Sequence, residues 1–163
     1  MRKPSVSRPL FTGAVLALAF AAASLPAALR AYECRALDTP DIGELAGIMR
    51  SEGLEFQVVK GPSGGDALVW HMGDAGSALV QIGRHGTSLN LSIREAGGRV
   101  TEEAVNAWNE TQWFSRSYIE IGGEPYLETD LDYEGGICEG RVRSFLKTFR
   151  RACSLWKKSV PGS

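Results

Sequence analysis

The sequence predicts an α+β domain in which helices pack on a single antiparallel sheet, in the order α-β-β-β-β-α-β-β-α. Three observations predict this class. Residues 138–157 place apolar side chains three or four positions apart, which is typical of an amphipathic helix. Four short strand-like runs between residues 54 and 94 are separated by turn clusters, which is typical of an antiparallel meander. Two further runs flank Gly122 and Gly123, which suit the tight reversal of a hairpin.

Composition and charge indicate one globular domain that follows a distinct N-terminal segment. The 163 residues are 44% hydrophobic and 23% charged, which excludes a disordered chain, a collagen, a coiled-coil rod and a multi-span membrane protein. The first 31 residues contain four bases and no acid. The remaining 132 residues carry 14 bases and 19 acids, a net charge of −5.

The N-terminal segment has the pattern of a secretory signal peptide. Bases precede the apolar run Leu10–Leu25, Pro26 interrupts it, and small residues follow up to Ala31. An uncleaved anchor is the alternative, because Leu10–Leu29 approaches the ~20 apolar residues that span a bilayer. We expect cleavage at or shortly before Ala31, a periplasmic or secreted protein, and membrane contact only through the signal peptide. The expected parts are a signal peptide at 1–31, a flexible leader at 32–38, the domain at 39–158 and a loose tail at 159–163.

The first predicted helix opens at Thr39, whose side chain can accept a hydrogen bond from an unpaired amide, and Pro40 suits the first helical position. Gly53 ends it. The meander follows, and its last run alternates apolar with polar residues, so that one face packs inward and the other meets water. Its four strands are predicted at Leu54–Val59, Ala67–Met72, Ala78–Gly83 and Ser88–Arg94.

The second half of the chain supplies two more helices and a hairpin. Thr101 is the predicted cap of a helix that ends near Gln112. The hairpin strands are predicted at Tyr118–Ile121 and Tyr126–Tyr133. The last helix carries one continuous apolar stripe, formed by Cys138, Val142, Phe145, Leu146, Phe149, Ala152, Cys153 and Trp156.

Charge is distributed unevenly along the domain. Residues 139–163 hold seven bases and one acid, whereas residues 32–138 have a net charge of −11. A basic helix on an acidic body could contact anionic lipid, nucleic acid or a second subunit. We expect it instead to pair with acids of its own domain. The exported location and the negative total further disfavour a nucleic-acid partner.

Three cysteines allow at most one intramolecular disulfide. Cys138 and Cys153 lie 15 residues apart on the predicted helix, about 22 Å. A disulfide needs Cα atoms within about 7 Å, so these two cannot pair. Cys34 could therefore join Cys138 or Cys153, and three free thiols are the alternative.

The usual signatures of enzymes and metal sites are absent from the sequence. No nucleophile elbow, phosphate-binding loop or dinucleotide fingerprint occurs, and His71 and His85 lack the spacing of metal ligands. Glu128, Asp130, Asp132 and Glu134 alternate along a strand, but Arg141 takes the place of the bidentate Glu of a calcium loop. We therefore expect a solvated strand face, no catalytic or metal-binding residue and no cofactor.

One ordered set of motifs is far more specific. Asn-x-Trp-Asn at 106–109, Phe-x-Arg-x-Tyr at 114–118 and Leu-Glu-x-Asp-Leu at 127–131 resemble the YbjN family, described as bacterial sensory transduction regulators. The resemblance implies a fold similar to type III secretion chaperones, frequent self-association and no known reaction. The residues that it singles out are Asn106, Trp108, Asn109, Phe114, Arg116, Tyr118, Pro125, Glu128, Asp130, Gly135 and Gly136.

These motif residues are interpreted as structural. Trp108, Phe114 and Tyr118 are expected to pack between the second helix and the hairpin. Asn106 and Asn109 can tie the helix end to neighbouring backbone. Arg116 is expected to pair with a strand carboxylate.

The resulting hypothesis is an exported, non-enzymatic YbjN-like domain that binds a protein partner, with a homodimer expected. The binding surface would be an exposed sheet edge or the margin of the last helix. The alternative is a carrier or sensor of a small apolar ligand, held between the sheet and the last helix by Trp70, Phe145, Phe149 and Trp156. An enzyme that uses the carboxylates of the strand face ranks third.

Overall fold

The computed structural model describes residues 34–83, 85–96 and 100–160. The expected signal peptide, the first two residues of the expected leader and residues 161–163 of the expected tail lie outside this range. The described chain forms helices α1 (Ile42–Ser51), α2 (Glu102–Thr111) and α3 (Glu139–Ser159). Its strands are β1 (Ala36–Leu37), β2 (Glu55–Lys60), β3 (Asp66–His71), β4 (Ser77–Ile82), β5 (Ser88–Arg94), β6 (Arg116–Ile119), β7 (Pro125–Asp132) and β8 (Ile137–Cys138).

The α+β class, the three helices and the antiparallel pairing confirm the prediction. The larger sheet has six strands in the order β2-β3-β4-β5-β7-β6, so β2 and β6 are its edges. The hairpin β6–β7 joins the meander through β5, along which Ser88–Arg94 pairs with Asp132–Tyr126. The apolar faces of the helices share one hydrophobic cluster with alternate residues of the sheet. None of the described helices is both long enough and apolar enough to cross a bilayer.

The prediction of a single sheet is wrong, because β1 and β8 form a second, two-stranded sheet. Ala36 pairs with Cys138, and Leu37 pairs with Ile137 and is only 2% exposed. The segment expected as a flexible leader therefore contains a strand, and Tyr133 anchors the chain just after it through a hydrogen bond to the carbonyl of Pro40. Two residues are too few to show the alternation by which strands are recognised in a sequence.

Both ends of the domain differ from the expected boundaries in smaller ways. Asp41, not Thr39, caps α1, because its side chain accepts the Glu44 amide at 2.8 Å and the helix begins at Ile42. Asp is as good an N-cap as Thr, and Pro40 then precedes the helix. Thr101 caps α2 as predicted, through the Ala104 amide at 3.2 Å. At the other end α3 continues to Ser159, and Val160 is buried rather than loose.

Candidate functional site

The outer edge of β6 is closed by a side chain. Asn109, near the end of α2, donates from Nδ2 to the Ser117 carbonyl at 2.8 Å and accepts the Ser117 N–H at Oδ1, also at 2.8 Å. These are the backbone groups that a neighbouring strand would otherwise pair. The Asn109 amide thus takes the place of a seventh strand at Ser117, in the middle of this edge.

Ser117 also ties this edge to the last helix. Its hydroxyl accepts a hydrogen bond from Trp156 Nε1 at 2.9 Å and donates to the Tyr126 carbonyl at 3.1 Å. The contact is buried, so the protein would lose stability if either polar group were left without its partner. Thr129, buried on β7, donates to the Phe114 carbonyl at 2.6 Å. Sequence reasoning missed Ser117 and Thr129, although strand alternation between the exposed motif residues would have placed both inward.

The aromatic motif residues divide between the core and the surface. Trp108 is buried, and Phe114 meets Phe145 of α3 edge to face with ring centroids 5.4 Å apart. Tyr118 differs from the expectation, because it lies on the sheet surface against Tyr126, at 4.8 Å between centroids. Its partial burial, followed by the charge of Glu128, raises the pKa of Tyr118.

Four other motif residues have plain structural positions. Asn106 lies exposed on α2, so Asn109 alone makes the tie that was expected of both. Pro125 begins β7, and its carbonyl accepts the Glu95 N–H at 3.2 Å. Gly135 and Gly136 form the turn into β8 with φ values of 82° and 97°, which only glycine adopts readily.

The carboxylate face of β7 carries its own cation. Arg116 Nη2 lies 3.1 Å from a carboxylate oxygen of Glu128 and 3.1 Å from one of Asp130, so Arg116 forms ion pairs with two carboxylates of β7. Glu134 does not continue the face, because β7 ends at Asp132, whose side chain accepts the Glu134 N–H. In the described parts of the chain, no group of three or more His, Cys, Asp or Glu residues is placed to hold a metal ion.

A disulfide links Cys34 to Cys138, with Cα atoms 5.4 Å apart. This is one of the two pairings that the sequence left open. Arg35, between Cys34 and β1, pairs with Glu139 of α3 at 3.2 Å and with Glu44 of α1 at 3.1 Å, so that this residue bridges α1 and α3 through charges. Cys153 is buried in the core with a free thiol, and burial raises its pKa to about 12.

The basic helix α3 is neutralised by its own domain only in part. Glu52 accepts from Lys147 at 2.9 Å and from Arg143, and these hydrogen bonds hold the pKa of Glu52 below its usual value. Lys157 pairs with Glu95 at 3.0 Å. Among the ion pairs of the described residues, none involves the other four bases of α3, which are Arg141, Arg150, Arg151 and Lys158.

The aromatic residues that the ligand-carrier hypothesis requires are not arranged around a cleft. Trp70, Phe145, Phe149 and Trp156 are all buried in the hydrophobic core, where they fill the space between the sheet and α3. A cleft of about 1010 Å³ lies elsewhere, beside the start of α1 and the β2–β3 turn. Its apolar lining is Pro40, Ile42, Ala46, Val58, Pro62, Ala67 and Ile82.

The second edge of the large sheet, β2, is open. It pairs with β3 on one side only, and in the described ranges no strand lies on the other side. Val58, in the middle of β2, is 60% exposed and lines the rim of the cleft. The two edges therefore differ, because one is closed by Asn109 and the other is available.

Comparisons with known proteins agree with this fold. The YbjN family model, described as "Putative bacterial sensory transduction regulator", matches residues 41–160. The crystal structure of YbjN from E. coli, titled a putative transcription regulator, superimposes with a TM-score of 0.54 at 11% sequence identity. That alignment covers 77% of this chain and 98% of the other. No curated protein sequence matches the chain.

Proposed function

The chain belongs to the YbjN family, and on this premise we propose that it is a non-enzymatic sensory or regulatory module that acts by binding a protein partner. The observation that carries the proposal is the difference between the edges of the large sheet. An open strand with unpaired backbone groups is a template for another chain, and proteins usually protect such edges. Here Asn109 protects β6, whereas β2 is left open.

We further propose that the module works outside the cytoplasm. Residues 1–31 have the composition of a signal peptide, and a disulfide such as Cys34–Cys138 persists in oxidising compartments. The proposed domain spans residues 39–158 and the proposed location is the periplasm or the medium. A chaperone-like role and self-association remain parts of this proposal, supported by the resemblance alone.

The proposal is tested by crosslinking the full-length protein in the envelope of its source bacterium and identifying its covalent partners by mass spectrometry. A stoichiometric envelope protein is the expected result. The control is Asn106→Lys, an exposed change on α2, which should leave the captured partner unchanged. Recovery of the uncrosslinked monomer alone would contradict a protein-binding function.

A second candidate function is the binding of a small apolar ligand, for which the cleft beside α1 is the supporting observation. Its volume of about 1010 Å³ is large enough for such a molecule, and Ile42, Val58 and Ile82 line it. The ligand would lie there rather than between the sheet and α3. Native mass spectrometry of the purified protein should then show a retained mass that Ile82→Lys removes, and bare protein alone would contradict this candidate.

A further inference from the structure

The solvent-facing side of α3 is a ridge of bases. Lys147, Arg150, Arg151 and Lys158 are all exposed, and at about 3.6 residues per turn they fall within about 100° of the helix circumference. The buried stripe of α3 lies on the opposite side. Glu139, in the first turn, is the one acid in the sequence of this helix. The four bases are called the basic ridge below.

Most of the basic ridge is not neutralised by the domain itself. Lys147 pairs with Glu52 at 2.9 Å, yet its side chain is still 69% exposed. Within the described ranges, no ion pair involves Arg150, Arg151 or Lys158. Three positive charges therefore face solvent along about 12 Å of helix, at about 1.5 Å per residue.

The acidic face of β7 lies on the other side of the sheet. Leu127 and Leu131 are buried in the hydrophobic cluster with the helices. Glu128, Asp130 and Asp132 alternate with them and so point away from α3. A helix with its side chains is about 10–12 Å thick, whereas unscreened charge interactions reach about 8 Å at physiological salt. These carboxylates therefore do not cancel the charge at the outer surface of the ridge, although the domain as a whole is negative.

Two exposed apolar side chains accompany the bases. Leu155, four positions after Arg151, is 43% exposed. Trp113 is 95% exposed, and it precedes Phe114, whose ring meets that of Phe145 on α3. An indole suits the boundary of a bilayer, because its ring is apolar and its N–H can bond to polar headgroups. Bases together with exposed apolar side chains are the combination that binds anionic membranes.

An anionic bilayer fits this surface better than an acidic protein or a second copy does. The basic ridge is convex, and the cleft of the described domain lies beside α1 rather than along α3. A flat bilayer can meet Arg150, Arg151 and Lys158 at once and also take up the Trp113 ring, for which an acidic protein would need a pocket of its own. In a two-fold pair through this surface, one ridge would face the other, so that like charges meet.

We propose that α3 docks the domain on a bilayer containing anionic phospholipids, with the basic ridge against the phosphate groups and Trp113 inserted among the headgroups. This inference goes beyond the proposed protein-binding function, which it neither requires nor replaces. Membrane contact was expected only through the signal peptide, and this surface adds a second contact within the folded domain.

The test measures vesicle binding by the chain as purified from the envelope of its source bacterium. Anionic vesicles contain equal parts of phosphatidylglycerol and phosphatidylcholine, and neutral vesicles contain phosphatidylcholine alone. Flotation should show tighter binding to the anionic vesicles. Raising the salt to about 0.5 M should remove this preference, because the added ions screen the basic ridge.

Two double substitutions separate the basic ridge from net charge. Arg150→Gln with Arg151→Gln removes two charges from the ridge and should weaken binding to anionic vesicles about tenfold or more. Arg94→Gln with Arg116→Gln removes two charges from exposed positions on β5 and β6, and it should weaken binding about twofold or less. Thermal melts check that both variants fold.

Trp113 reports the contact with lipid directly. Trp70, Trp108 and Trp156 are buried, so phospholipids brominated on their acyl chains should quench the fluorescence of Trp113 alone. Trp113→Phe should abolish this quenching while anionic vesicles still bind. The segment 1–31 contains no tryptophan, so quenching also distinguishes docking of the domain from anchorage by that segment. This measurement on the wild type needs no change to the basic ridge.

Three results would overturn the inference. One is binding that does not prefer anionic to neutral vesicles; if soluble polyglutamate binds instead, the basic ridge belongs to an acidic protein. Another is the absence of quenching when the protein is bound to brominated vesicles. The third is an equal loss of binding in the two double variants, which would reduce the effect to net charge. Capture of an envelope protein by crosslinking is a separate measurement, so protein binding and membrane docking can fail independently.

Discussion

The side-chain amide of Asn109 and the backbone of Ser117 form a reciprocal pair of hydrogen bonds, each 2.8 Å long. This relationship gives the family motif a physical meaning. One residue of α2 completes the edge of β6, and the hydroxyl of the same Ser117 receives the buried indole N–H of Trp156. Asn109 of α2 and Trp156 of α3 thus hold the hairpin between the two helices, and β2 is left as the open edge of the large sheet.

Asn109→Ala should destabilise the protein because two backbone groups of Ser117 lose their partners. We expect the free energy of unfolding to fall by about 1–3 kcal/mol, measured by urea denaturation. The exposed β6 edge should also promote self-association, measured by light scattering. Asn106→Ala is the matched control, since it makes the same change in α2 at an exposed residue without the bonds to Ser117, and it should alter stability by about 0.5 kcal/mol or less. Equal effects of the two changes would refute the role of Asn109.

Ser117 and Trp156 should show energetic coupling in a double-mutant cycle. Ser117→Ala leaves the buried indole N–H without an acceptor, and Trp156→Phe removes that donor but also shrinks a core side chain. The cycle cancels the packing loss, and we expect a coupling of about 1 kcal/mol. Strictly additive losses would mean that the 2.9 Å contact contributes nothing to stability.

The disulfide should contribute substantially to stability because it links positions 104 residues apart. Replacing Cys34 and Cys138 together by serine should lower the free energy of unfolding by about 2–5 kcal/mol. Reduction of the wild type should have a similar effect on its denaturation curve. The control is a thiol count with Ellman's reagent. The untreated protein should react at no site when folded and at Cys153 alone when unfolded, whereas three thiols in the unfolded, unreduced chain would exclude the disulfide.

Acid should weaken the contact between α1 and α3. Lys147 and then Arg143 lower the pKa of Glu52 from its ordinary value of 4.5. The unfolded chain therefore takes up the proton first as the pH falls. The stabilisation is complete above about pH 5 and is lost as the pH falls through the folded pKa.

Glu52→Gln tests this pH dependence. The variant should be less stable than the wild type at neutral pH, and the difference should shrink in acid. Glu55→Gln, an exposed change outside the observed ion pairs, is the control. Chemical denaturation at a series of pH values measures both variants. A difference between wild type and Glu52→Gln that stays constant down to pH 3 would contradict the assignment.

The sequence pattern predicted correctly those elements that depend only on residues within one segment of the chain. The apolar stripe of α3 spans about four turns from Val142 to Trp156, although Cys138, expected to begin it, lies in β8. The alternation of β5 matched its observed bounds, and Thr101 capped α2 because a cap depends on residues only three apart. The motif spacing likewise identified the family. Each of these features is decided by side chains close together in the chain.

Only the tertiary structure decided which distant groups meet. Three features depend on such contacts: the β1–β8 sheet, the disulfide partner of Cys34 and the Asn109–Ser117 hydrogen bonds. In each of them, no local sequence pattern indicates which residues come together. The strand order decided which edge is open, since β2 and β6 look alike as short strands. The fold also buries in its core the aromatic residues that composition alone suggested for a ligand site. Burying large apolar side chains in one core stabilises the protein more than leaving them exposed around a cleft.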